Sequence, residues 1–206
     1  FMTENLKISP LNRVLLLVTV ILAGYQVAVG IEGMDQLPIL AYTIAFGTLL
    51  VASLLIILLG YDALDSPLVI IISTIIPLSL SLGLVWQHLP ELRLGYLVFT
   101  CVGFVLVLIT RWLPFHLKIQ TFVLAVMHGT AGLILFLLPT ILAALGVTRM
   151  GYALVGLGGA LMGLGGLLLS FLKAGKPLVS RETILRILPI LLFLLTAAFV
   201  AGSALA

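Results

Sequence analysis

Seven stretches of this chain run for about twenty residues each without a single Asp, Glu, Lys or Arg. They are approximately Val14 to Gly30, Pro38 to Gly60, Pro67 to Trp86, Leu94 to Thr110, Thr121 to Leu145, Gly151 to Leu172 and Ile187 to Ala206. A helix rises 1.5 Å per residue, so about 20 apolar residues cross the roughly 30 Å of hydrocarbon in a bilayer. The pattern predicts an all-α fold: one polytopic membrane domain, residues 1–206, built as a bundle of seven transmembrane helices. The fourth run is the shortest and is expected to borrow Arg111 to Leu113 at the interface.

Composition closes the alternatives. The chain is 63% hydrophobic and 8% charged, where a soluble domain carries roughly a quarter charged residues. Basic clusters are too few for a nucleic-acid binder and one cysteine is too few for a disulfide scaffold. Tyr25, Tyr61, Trp86, Tyr96, Trp112 and Tyr152 fall near the ends of runs, as an aromatic belt at the headgroup layer would. Ser66 before Pro67 reads as the capped start of the third helix. The first run, behind Lys7 and Arg13, also has the look of a signal peptide, but no clear small-x-small cleavage site precedes Glu32, so it is read as a span.

Charge sets the expected orientation. Lys7, Arg13, Arg111, Lys118, Lys173, Lys176, Arg181 and Arg186 fall on the side of the N-terminus, and only Arg93 and Arg149 on the other. Positive loops resist translocation, so the N-terminus is expected in the cytoplasm and the C-terminus outside, in a bacterial cytoplasmic or thylakoid-type membrane. That topology is opposite to the retinal proteins, and no Lys lies in the last run to form a Schiff base. Connections of about five to a dozen residues make consecutive helices antiparallel neighbours or nearly so.

Three helices carry what chemistry there is. In the sixth, Gly156, Gly159, Gly163 and Gly166 share one stripe and Gly158 and Gly165 the opposite one. Glycine inside a helix is costly unless backbones must approach closely, so both faces are expected to pack, within the bundle or across a homo-oligomer seam. In the third, Pro77 removes one amide donor and frees the Ser73 carbonyl, and Ser73, Thr74, Pro77 and Ser81 share a face. This stripe lines a solute path, or its hydroxyls bond back to their own helix. In the fifth, His128 is the one ionisable side chain deep in a run, with Gly129, Thr130 and Gly132 around it, and Pro139 is expected to bend the helix beyond.

The ends offer less. Glu32, Asp35, His88 and Glu91 on one side, and Asp62, Asp65 and His116 on the other, have the composition of weak divalent-cation sites, although solvated loops explain them as well. Lys173, Lys176, Arg181 and Arg186 suit anionic lipid headgroups. No cofactor is expected: His88 and His116 lie at opposite faces, which leaves no pair to hold a membrane haem, and Cys101 reads as a small core residue.

No esterase, metalloprotease or intramembrane carboxylate signature is present, and none of the seven acidic residues lies deep in a run, which argues against ion-coupled transport and most catalysis. The expected function is binding or passage of a neutral or apolar solute or lipid within the bundle. A non-catalytic accessory subunit of a larger membrane complex is the alternative, and interfacial lipid chemistry at Asp62, Asp65 and His116 is third. Expected partners are membrane lipids and, under the alternative, other subunits.

Overall fold

The computed structural model describes residues 8–31, 34–113, 115–173 and 179–205. Seven helices are long and apolar enough to cross a membrane. They are α1 (Pro10–Val29), α2 (Gln36–Leu59), α3 (Pro67–His88), α4 (Arg93–Trp112), α5 (Leu117–Ala144), α6 (Ala153–Lys173) and α7 (Arg181–Ala204). Short 3₁₀ turns at Tyr61–Asp65, Pro90–Leu92 and Met150–Tyr152 lead into α3, α4 and α6.

Local chemistry sets the ends. The Ser9 hydroxyl accepts from the Asn12 amide at 3.2 Å, with Pro10 at the first helical position, so α1 starts four residues before its uncharged run. Gly30 and Gly60 close α1 and α2 with φ of 68° and 77°, a region that L side chains avoid. Ser180 likewise caps α7 by accepting from the Thr183 amide. Of the expected extension over Arg111 to Leu113, α4 takes Arg111 and Trp112, and Leu113 is extended just past its end.

Every consecutive pair of helices is in contact, and two non-consecutive contacts shape the molecule: α1 packs on α7, and α3 on α5. The order α1, α2, α3, α5, α6, α7 therefore closes into a ring of six, with α4 packed outside it on α3 and α5. The main core cluster draws on all six ring helices, through Ala23, Phe46, Leu80, Leu135, Val155 and Phe199 among others, and takes nothing from α4. Cys101, read as a core residue from the sequence, is exposed on α4. Its neighbours Val98, Val102 and Val105 are exposed too, so this face of the peripheral helix points away from the rest of the bundle.

The glycine helix packs inside the bundle. A Cβ on Gly159 would stand 2.6 Å from the Leu135 backbone of α5, and one on Gly158 would stand 2.9 Å from the Phe199 ring of α7. Gly156 lies against Phe136 and Thr140 of α5. The stripes thus serve two neighbours at once, while lower down the same helix Gly163 faces open space.

At the charge-rich end, the end of the N-terminus, the Asn12 side chain donates to the Tyr61 hydroxyl at 3.2 Å and to the Arg186 carbonyl at 3.1 Å. One buried amide thereby joins α1, the Tyr61–Asp65 turn and α7. Burial pushes the Tyr61 phenol pKa up, and the bond from Asn12 works in the other direction.

Candidate ligand-binding cavity

At the opposite, charge-poor end the ring surrounds a partly open cavity of about 20 Å³, room for about one water. Tyr42 and Phe46 of α2, Leu80 and Leu84 of α3, Leu135 of α5, Tyr152 and Val155 at the start of α6, and Phe199 and Ser203 of α7 border it. No Asp, Glu, His, Lys or Arg is among its lining side chains. Ile31 and Met34 cover it from the connection between α1 and α2.

Two close approaches position the aromatic groups. The Tyr42 ring lies flat against Gly83 of α3, its carbons 2.7 Å from where a Cβ would stand, so a larger residue there would displace it. Tyr152 pairs with His88 at the end of α3: its hydroxyl is 2.9 Å from Nε2, and the ring centroids are 5.5 Å apart. The partnership of Tyr152 leaves two hydroxyls on the cavity unaccounted for. Tyr42 is 8% exposed, and neither its hydroxyl nor that of Ser203 has a hydrogen-bond partner among the described residues. Many helical hydroxyls here, those of Thr19, Ser81, Thr100, Thr110, Thr140 and Thr196, donate back to a carbonyl four residues earlier, whereas those of Ser203 and Ser53, and of Thr148 beyond the end of α5, do not.

The end of α3 also anchors the outer surface. Arg93 donates from Nε to the Trp86 carbonyl at 2.6 Å, stacks 5.5 Å above the Trp86 ring and stands 3.9 Å from the Asp35 carboxylate. Asp35 holds the N-cap position of α2 without a side-chain capping bond. So of the acidic and histidine set expected at this end, His88 and Asp35 go to different partners, Glu91 is exposed in its turn, and Glu32 lies outside the described residues. Among the described residues no three His, Cys, Asp or Glu side chains come together in a group that would hold a metal ion. At the other end Asp62 and His116 are exposed, and the Asp65 side chain lies outside the described residues.

The stripe expected to line a path stands elsewhere. Ser81 donates to the Pro77 carbonyl at 2.7 Å and accepts from the Tyr96 hydroxyl at 2.8 Å, which turns it toward α4. Thr74 and Pro77 are buried, Ser73 is half-buried, and Ser73 and Thr74 are both engaged. The His128 imidazole lies against the backbone of Ser73 and Leu124, and its Nδ1 is buried without a hydrogen-bond partner. Gly166 of α6 backs the ring, with 3.9 Å between its Cβ position and His128 Cδ2. None of these five residues borders the cavity. Of the expected lipid-contact set, Arg186 is exposed and pairs with Glu182 at 2.6 Å, and Arg181 is half-buried. Lys176 and the Lys173 side chain lie outside the described residues.

Tyr42, Ser203 and the Tyr152–His88 pair are the groups that sequence reasoning passed over. Tyr42 carried a signal: it is the seventh residue of α2, about 9 Å from the helix start at 1.5 Å per residue, too deep for a headgroup-belt phenol. Tyr61, Tyr96 and Tyr152, read as belt residues, are likewise turned inward and hydrogen-bonded, whereas Tyr25 and Trp112 are exposed as a belt requires. Compared with protein-family models, curated proteins and solved structures, the chain matches none.

Proposed function

We propose that this protein binds a small, neutral, predominantly apolar molecule inside its six-helix ring, reached from the charge-poor end. The single observation that carries this reading is an apolar cavity inside the ring bordered by the hydroxyls of Tyr42 and Ser203, for which no hydrogen-bond partner stands among the described residues. A guest that fills the apolar space and accepts from these hydroxyls is favoured at this spot. Neutrality follows from the lining, since a buried charge needs a counter-charge and the cavity has none. The cavity as it stands holds about a water, so a larger guest requires side chains such as Phe199 to turn aside. The thin glycine contacts of α6 beside them make such repacking cheap in displaced side-chain volume.

Purification in mild detergent followed by native mass measurement and solvent extraction tests this. The wild type is expected to retain a stoichiometric small neutral molecule, and Ser203→Met, which fills the cavity with a flexible chain, to fold and lose it. A protein that carries no such molecule and arrives instead with companion subunits would overturn the reading in favour of an accessory role.

A further inference from the structure

Resting on that reading, we infer that the guest presents a hydrogen-bond-accepting oxygen, a carbonyl at one end of an apolar body, to Tyr42 and Ser203. The cavity offers three hydroxyls and no amide, carboxylate or other side-chain oxygen. Each hydroxyl brings one proton to donate. Tyr152 is engaged with His88, while Tyr42 and Ser203 have no partner among the described residues. A phenol is a strong donor and a weak acceptor, because its lone pair is shared with the ring. A guest that only donates, such as an ammonium group, would leave both free hydroxyl protons unserved, whereas a carbonyl with two lone pairs takes a proton from each. The rest of the lining accommodates the body: Phe46, Leu80, Leu84, Leu135, Val155 and Phe199 are all apolar. Neither Arg93, committed to Asp35 and Trp86, nor Arg149 is part of the lining, so a carboxylate guest is not served.

Such an oxygen has two sources, the acyl ester of a membrane lipid or a free small carbonyl compound. The test uses protein reconstituted into vesicles of ether-linked phosphatidylcholine, which has no acyl carbonyl, titrated with decanone and with decene. Decanone is expected to bind more tightly than decene, with its carbonyl stretch moved to lower frequency than in vesicles alone. Tyr42→Phe and Ser203→Ala are each expected to weaken decanone about fivefold, to return the stretch toward its vesicle frequency and to leave decene unchanged. Equal binding of the two probes, or a decanone preference that survives both substitutions, overturns the inference and leaves the binding site itself intact. Failure of both probes to bind overturns the binding reading. Repeating the titration in ester-linked vesicles separates the sources: weaker decanone binding there identifies the lipid ester as the natural occupant, and unchanged binding identifies a free carbonyl compound.

Discussion

A methyl group on Gly159 would stand 2.6 Å from the Leu135 backbone, while one on Gly163, a turn further along the same stripe, meets nothing within 4 Å. The two positions look alike in the sequence and differ only in what packs on them. Gly159→Ala is expected to lower stability by about 1–3 kcal/mol, because α5 must move to admit the methyl. Gly163→Ala is expected to be neutral or to gain up to about 1 kcal/mol, since it removes the helix-interior cost of glycine and displaces nothing. Thermal unfolding of both variants in the same detergent checks this; equal losses would mean that helix propensity, not the seam with α5, sets the cost. That glycines were needed for close approach was legible in the residues. Which of them are needed was not, because a spacing defines a face and says nothing of the neighbour on it.

Proline gives the same lesson for helices. Pro77 frees the Ser73 carbonyl in α3, and Pro139 frees the Leu135 carbonyl in α5. Both helices continue through the proline, and in both a neighbouring helix covers the freed oxygen: the His128 ring of α5 lies against Ser73, and the Gly159 backbone of α6 lies against Leu135. His128 therefore acts at a seam between helices, where its polar ring faces a carbonyl that no intrahelical amide can serve. If so, Pro77→Ala, which returns the missing amide, should reduce what His128 contributes. A double-mutant cycle with Pro77→Ala and His128→Leu, followed by unfolding, is expected to give a coupling of about 0.5–2 kcal/mol. Strict additivity would separate the imidazole from the freed carbonyl. The frustrated carbonyl was readable from one helix alone, but its partner comes from a helix some fifty residues on, and no local rule points there.

For the whole molecule, the charge bias predicts which way the ring faces. Eight of the ten Lys and Arg lie on the side of the N-terminus. In a Cys101→Ser background, Arg149→Cys in intact cells is expected to react with a membrane-impermeant thiol reagent, and Arg111→Cys only after the membrane is opened. The reverse pattern would invert the orientation and place the mouth of the cavity in the cytoplasm. This matters for the proposed guest, because the charge-poor end is where Ile31 and Met34 cover the ring and where Arg93, Trp86 and Asp35 tie α2, α3 and α4 together. The bond from Asn12 to Tyr61 and Arg186 performs the matching task at the other end, so the ring is fastened at both faces and the cavity opens near only one of them.

The sequence by itself determined seven helices and the ends of the first two at Gly30 and Gly60, while the starts at Pro10 and Arg181, capped by Ser9 and Ser180, lie four and six residues ahead of the uncharged runs that announced those helices. In lipid a spanning segment must satisfy its backbone within itself, so each helix is a local decision read from uncharged length and cap chemistry. Only the tertiary structure decided that α1 meets α7, that α4 stands outside the ring, and that Tyr42 and Ser203 border one cavity. Hydrocarbon is as apolar as a protein core, so a leucine toward lipid and a leucine toward another helix carry the same signal. Polar alternation, which tells a soluble helix which face is inside, is nearly absent from these spans. The arrangement was therefore left to small residues, freed carbonyls and a few buried hydroxyls, whose partners appear only when the helices are brought together.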